Sequence, residues 1–469
     1  MANVSFTLLP PSHVTNTYRS DISAEEVDGE EHQRSSVLGA TGFPGRIPQG
    51  VSILSALESE EVGKQAGQGI SSTASLELIC NYWNGIKRRK AEKLLEKNES
   101  TGRRLSTEEI MRTAGMRFIQ LQDQRNDYIS AITQRFGSDL SGLSEEEMKE
   151  VDLAQLLLAA AEKVGENELD RASRLLSYCE MLSSKRRSTA EKVVLLFVDA
   201  LRERIHIARG EHDSKRLVLR NNQYLRTSAL QITYCRILPF IQIAQFSAIQ
   251  VLVENTATAS RIHIVDLAVR SGVHVIILMQ ALLDRKEKPI DLLKVSAVAT
   301  TGMDTAEESG KRLVNVAKSM GLNFSFRVIP VQHIDDVREE MFDIEDGEAV
   351  AVYSPLVFEA LISRQKSLEN LTTVIKSLNP SVMVMTEIQA NHNSPSFVAR
   401  FIEGLFFYSA FMDCLDTCLA NNGENNMVSE KCLFSVVTNM LSMEGEERTI
   451  RNVKIDVWRA FFTRQEWWR

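Results

Sequence analysis

The sequence predicts an α/β fold with a mostly parallel sheet, helices on both faces of it, and a helical cap that precedes it in the chain. Three observations predict this. From Arg261 onward, short apolar, β-branched runs alternate with longer helical patterns. From about Ser75 to Thr258, helical periodicity dominates. At the junction, Arg261 to Arg285 (RIHIVDLAVRSGVHVIILMQALLDR) leads from an apolar strand through a turn containing Gly272 into an apolar helix. In an open parallel sheet, small ligands bind beside such a strand–turn–helix opening, at the carboxyl end of the strand.

The elements follow in order. Residues 1–74 are rich in Ser, Gly, Pro and acidic side chains, bury too little apolar surface to offset their ordering entropy, and are expected to form a disordered tail. The folded part is expected over 75–469, with 75–258 a mainly helical, leucine-rich cap and 259–469 the α/β core. Ser106 with Glu109 and Ser144 with Glu147 have capping-box spacing, and Pro239 opens the last cap helix, where a missing N–H costs nothing. Strands are expected at 261–267, 292–300, 323–330, 348–353 and 381–388. Helices are expected near 273–286, 304–320, 333–341, 357–378, 395–420, 429–443 and 453–465. Because no strand signal follows the long helix, the sheet is expected to be incomplete at its carboxyl-terminal edge. The tryptophans in the closing RQEWWR are expected to be exposed there.

Composition sets outer bounds. A chain of 469 residues with 43% hydrophobic and 25% charged residues has a globular composition and room for one large domain or two to three ordinary ones. A formal charge of −8 argues against a dedicated duplex-DNA binder, though not against a local basic patch. The amino terminus lacks the basic start and apolar core of a signal peptide, and no apolar run approaches a membrane span, so no membrane partner is expected. Six scattered cysteines, with Cys414 and Cys418 one helical turn apart, lack zinc-site spacing and are expected to be reduced.

Four constellations bear on function. The first is the opening turn. A dinucleotide fingerprint needs G-x-G-x-x-G, whereas Asp266 to Gly272 holds a single glycine, and the second strand ends Val298-Ala299-Thr300-Thr301-Gly302 without a carboxylate for a ribose. Asp266 is expected to cap the turn through backbone amides, and His263 to be a hydrogen-bonded core histidine. The second is the polar run after the last strand. Glu387, His392 and Asn393 are expected on the same rim as Asp266, either as an acid–base constellation or with Asn393 or Ser394 capping the helix begun by Pro395 and Glu387 paired with Arg400. The third is Lys87-Arg88-Arg89-Lys90, a candidate nuclear import signal or a solvated helix face, with Lys185-Arg186-Arg187 a weaker basic patch. The fourth is Leu153, Leu156 and Leu157, whose spacing forms one helical face, suited to a partner's groove or to an internal helix contact.

Taken together, these motifs resemble the plant GRAS family of transcriptional regulators, in its SCARECROW-like and DELLA-related group. The family's central V-H-I-I-D signature appears as Ile262-His263-Ile264-Val265-Asp266. Leucine-rich stretches flank it, as in LPFIQIAQFSAIQVLVENT. TEIQANHNSPSFVARFIEGLFFYSAFMDCLD follows the family pattern of E, H-N, F, R-F and Y-S-A, and GEERTIRNVKIDVWRAFF resembles the start of its last region. The resemblance covers about residues 75–463. It departs from the family after Gly272, in lacking an Asp-Glu-Leu-Leu-Ala segment, and in lacking the terminal S-A-W segment, as a C-terminally truncated isoform would.

The resemblance implies a methyltransferase-like (Rossmann-type) core without catalytic, cofactor-binding or metal-binding residues. It also implies nuclear action through other transcription regulators, including homo- or heterodimers with GRAS proteins, and DNA contact either direct or through partners. The competing expectation is an S-adenosylmethionine-dependent methyltransferase or small-molecule sensor that uses the Asp266/Glu387 rim.

Overall fold

The computed structural model describes residues 3–9, 104–122, 143–183, 188–213, 228–285, 288–300, 303–419 and 423–467. In chain order these form β1 (Asn3–Leu9), α1 (Thr107–Gln122), α2 (Glu145–Gly165), α3 (Leu169–Leu182), α4 (Thr189–Ala208), α5 (Ser228–Ile237) and α6 (Pro239–Asn255). Then come β2 (Arg261–Asp266), α7 (Val273–Leu283), β3 (Leu292–Ala299), α8 (Met303–Ser319), β4 (Phe324–Pro330), β5 (Ala349–Pro355), α9 (Gln365–Ser377), β6 (Val382–Gln389), α10 (Phe397–Leu419), α11 (Gly423–Ser442) and α12 (Ile455–Arg464).

The six-stranded sheet has the order β1-β6-β5-β2-β3-β4, with β2 to β6 mutually parallel. Such an order requires crossovers, which α7, α8 and α9 supply, except that between β4 and β5 the chain crosses through two short 3₁₀ turns. Strand alternation sorts the side chains into two layers. Ile262, Ile264, Val295, Ala297, Ala351, Tyr353, Val382 and Val384 pack with α6, α7 and α8 on one face. Val265, Val298, Val350, Val352, Met383 and Met385 pack with α9 and α12 on the other. Both faces are therefore apolar, as a parallel sheet between two helical layers demands.

The cap has its own core. Ile110, Leu157, Leu176, Val194, Phe197 and Leu201 from α1 to α4 interlock with Phe401, Leu405, Met412, Val437 and Met440 from α10 and α11. The expected boundary at residue 259 is thus corrected: α10 and α11 fold back from the carboxyl-terminal half into the cap. Their apolar residues run around most of each helix, and such helices need burial on more than one side. The expected capping boxes are present at Ser106/Glu109 and Ser144/Glu147, and a further one, Ser188/Glu191, opens α4.

Four local expectations are also corrected. Residues 333–341 form two short 3₁₀ turns, Ile334–Asp336 and Glu339–Phe342, because Val337 and Arg338 between them are extended. Within 357–378 a 3₁₀ turn, Phe358–Leu361, is separated from α9 by Arg364, whose φ of −121° and ψ of 70° interrupt the helix. At the β6 edge, where a strand was expected to be missing, β1 pairs antiparallel from Asn3↔Gln389 to Leu9↔Met383, although it lies in the stretch expected to be a tail. Trp467 is buried against Phe462, with ring centroids 5.9 Å apart, because the chain turns back at Glu466 (φ 54°) and the Trp467 amide donates to the Phe462 carbonyl.

Candidate functional site at the ends of the sheet

The turn after β2 is held from within. Asp266 is fully buried; its Oδ1 accepts from the Ala268 amide at 2.9 Å and its Oδ2 pairs with His274 Nε2 at 2.6 Å. The His274 ring lies 5.0 Å from that of Tyr353. From the other side α8 grips the turn: Ser309 Oγ donates to the Arg270 carbonyl at 2.8 Å and an Arg312 guanidinium N–H donates to the Ser271 carbonyl at 2.7 Å. Gly272 has φ +69°, and a Cβ there would lie 3.1 Å from the Leu313 side chain. The glycine is needed for a left-handed turn packed against α8. Both Asp266 oxygens and two of the turn's carbonyls are thus engaged by the chain itself, and this arrangement does not fit a nucleoside cofactor, which needs such groups free.

His263 lies nearer the amino end of the sheet, on the opposite face from Asp266. Its Nε2 is 2.8 Å from Ser296 Oγ and its Nδ1 is 3.1 Å from Glu348 Oε2, all three side chains being buried. The order Ser–His–Glu resembles a hydrolytic triad, but a triad serine must meet a substrate and an oxyanion hole at the sheet's carboxyl end. Here Ser296 is wholly buried in the middle of β3, so the relay ties β2 to β3 and to the start of β5. Burial, then the Lys294 charge, pushes the His263 imidazole down to about 4, which keeps it neutral. Lys294 and Arg261 lie 3.5 Å and 3.6 Å from the Glu348 carboxylate. Although burial opposes ionisation of Glu348, the Glu345 amide and the adjacent positive charge outweigh it and hold this carboxyl below its ordinary value.

The remaining rim residues gather elsewhere. Glu387 Oε1 accepts from the Phe358 amide at 2.8 Å, while its Oε2 is buried without a partner. Burial, and then the neighbouring Glu359, push the Glu387 carboxyl well above its ordinary range; burial pushes Glu359 up to about 7. Asn452 links the group, its amide N–H donating to Glu359 Oε2 and its Oδ1 accepting from His392 Nδ1 at 2.9 Å. The His392 ring stacks on Tyr408, its Nε2 has no partner, and burial lowers it to about 4. Asn393 Oδ1 accepts from Arg451 at 2.8 Å. This network can store a proton between two carboxyl groups, and it presents two unpartnered polar atoms.

The structure separates what the sequence joined. Asp266 faces the layer of Tyr353 and Val384, its register partners across the sheet, whereas Glu387, one residue out of phase with Val384 and Thr386, faces the other layer. A shared Asp266/Glu387 rim is therefore corrected by strand alternation. Arg400 pairs with Glu444 at 2.6 Å rather than with Glu387, and Ser396, rather than Asn393 or Ser394, caps α10 through the Ala399 amide. Leu153 and Leu157 are 3% and 0% exposed in the cap core and Leu156 packs against it, so the expected partner face is an internal contact. Exposed apolar side chains of the cap include Tyr178, Met181 and Leu182 on α3. Lys87, Arg88, Arg89 and Lys90, like Lys185–Arg187, lie outside the described residues.

Sequence reasoning missed Ser296, Glu348, Glu359 and Asn452. The apolar strand around Ser296 offered one signal, a lone hydroxyl among alanines and valines, opposite Val265 and two residues beyond Lys294, the register partner of His263. Glu348, Glu359 and Asn452 lie in turns and loops, where no periodicity marks them.

The GRAS domain family model matches residues 153–467. DELLA protein RGL1 of Arabidopsis thaliana is 32% identical over 315 residues, covering 66% of this chain and 59% of that protein. DELLA protein 1 of Medicago truncatula is 29% identical over 326 residues, covering 66% and 53%. The chain thus spans little more than half the length of these curated relatives. The crystal structure of SCL7 in Oryza sativa superposes with a TM-score of 0.55 at 24% identity, over 66% of this chain and 84% of that one, a likeness of fold. The family match extends over both the cap and the sheet, and the chain belongs to the GRAS domain family, a family of plant transcriptional regulators.

Proposed function

We propose that this chain regulates transcription in the nucleus as a protein-interaction scaffold rather than as an enzyme. The observation that carries the reading is the turn after β2, where Asp266 is satisfied by Ala268 and His274 and leaves no free carboxylate for a cofactor. The GRAS match supports the regulatory class, and partners would be other transcription regulators, including further GRAS proteins as homo- or heterodimers. DNA would be met directly or through those partners. Among the described residues no helix is long and apolar enough to cross a membrane.

Nuclear entry would depend on Lys87-Arg88-Arg89-Lys90, four consecutive cations that need solvent or a receptor's carboxylates. Replacing all four by alanine in a fluorescent fusion is expected to move the protein from nucleus to cytosol. Nuclear accumulation that survives the replacement would reject that assignment.

A second reading, a small-molecule sensor, has one observation in its favour: the buried Glu387 Oε2 and His392 Nε2 have no partner in the fold. It draws on Glu387, Glu359 and His392 and no longer includes Asp266, which faces the other layer.

A further inference from the structure

Four arginines converge where the cap meets the α/β core. Arg204 comes from α4, Arg400 from α10, and Arg448 and Arg451 from the segment leading to α12; Glu444 follows the end of α11. Arg400 Nη2 and Arg204 Nη1 lie 2.6 Å and 2.9 Å from the same oxygen, Glu444 Oε1, and Arg448 Nε is 4.0 Å from Oε2. Arg451 binds the Arg448 carbonyl, Asn393 Oδ1 and the Gly445 carbonyl at 2.7, 2.8 and 2.6 Å. Among the described residues no other carboxylate lies within ion-pair distance of these four side chains. Four positive charges therefore face one negative charge.

That imbalance is buried. The Arg400 and Arg448 side chains are 1% and 5% exposed, and the Nε of each is buried without a hydrogen-bond acceptor. The Arg204 guanidinium lies over the Phe397 ring, 4.4 Å from its centroid, which removes further water. Burial, then the neighbouring guanidiniums, pushes Arg448 down to about 9. A fold that holds excess buried cations is destabilised by them unless an anion offsets the charge.

We propose that this cluster is an oxyanion site for the phosphate monoester of a small soluble molecule, with Glu444 as its displaceable internal anion. The phosphate dianion offsets more of the excess charge than a carboxylate does, and guanidinium forks match its oxygens. Glu444 can yield its place because its side chain is 52% exposed and follows the last turn of α11. The two Nε atoms are buried, which favours a small ligand over a duplex backbone. Arg204 and Arg400 belong to the cap, whereas Arg448 and Arg451 lead to the helix under the sheet. A phosphate bound among them ties the two layers together, and its binding goes beyond the scaffold reading.

The test is calorimetric titration of the full chain with inorganic phosphate at constant ionic strength, chloride being the control anion. Phosphate is expected to bind, Glu444→Gln to tighten it by about tenfold, and Arg448→Gln to weaken it by at least about tenfold. Should Arg448→Gln fail to fold, Glu444→Gln still decides, because it removes a charge from a half-exposed side chain. No binding by either wild type or Glu444→Gln would overturn the proposal, as would equal affinity in the two. Binding of a short DNA duplex, with phosphate alone inert, would overturn it in favour of a nucleic-acid backbone.

Discussion

The Glu348 side chain at the amino end of the sheet and the Glu387 side chain at the carboxyl end are both closed off from solvent, yet the Glu348 carboxyl is held below its ordinary value and the Glu387 carboxyl well above it. The difference lies in the company. Glu348 has Lys294, Arg261, His263 and the Glu345 amide around it, so ionisation is stabilised despite burial. Glu387 and Glu359 have each other and backbone amides, with Arg270 only a distant positive charge. Depth alone does not set the state of a buried acid; the neighbours decide it. The charged end is built to hold strands in register, while the protonated end is held less completely and has polar atoms to spare.

The largest expected effect comes from breaking the charged end. Glu348→Ala leaves His263 Nδ1 without its partner and the half-buried Lys294 with only the exposed Glu345 carboxylate beside it. Loss of one partner from a buried ionic group costs about 3 kcal/mol, readable as a lowered midpoint in urea denaturation. A loss below about 1 kcal/mol would show that the cations are hydrated and the two ends equivalent.

The carboxyl end is expected to respond to pH instead. With the Glu359 carboxyl raised from 4.5 to about 7 in the fold, the folded state binds its proton more tightly than the unfolded state. That contribution is fully present below about 4.5 and is lost as pH rises through 7. Glu359→Gln, which preserves an acceptor for Asn452, should match wild type near pH 4.5 and exceed it by roughly 1–3 kcal/mol at pH 8. Melting curves of the two proteins against pH would show this divergence; parallel curves would mean that Glu359 is ionised and paired. His263 works in the other direction, since its lowered pKa gives stability that is complete above 6.5 and falls as the pH drops toward 4.

The smallest of these effects is expected at Ser296→Ala, which removes only the hydroxyl facing His263 Nε2. About 1 kcal/mol is expected, measured by the same denaturation. An effect equal to that of Glu348→Ala would mean that the relay acts as a unit and not as a charged centre with a neutral neighbour.

These regions were unequally legible in the sequence. The strands beginning at Arg261, Leu292, Phe324, Ala349 and Val382 were readable within two residues at each end, because a buried parallel strand is a compact apolar run bounded by turn residues. The capping function of Asp266 and the core position of His263 were readable for the same reason: their immediate neighbours settle them. What crosses the chain was not readable. Glu348 meets His263 from 85 residues away, Asn452 meets Glu359 from 93 residues away, and α10 leaves the α/β half to enter the cap. The leucines at 153, 156 and 157 show the converse limit, because a face suited to a partner and a face suited to the protein's own core have one spacing. The arginine cluster is also long-range, with Arg204 and Arg448 drawn together only when the cap closes on the core.

The central claim is that the opening turn after β2 survives as scaffold, with Asp266 committed to Ala268 and His274. Calorimetric titration of the full chain with S-adenosylmethionine tests it most directly, with Asp266→Ala as the companion variant. No binding at millimolar ligand by either protein is predicted, whereas micromolar binding by wild type that Asp266→Ala abolishes would contradict the account.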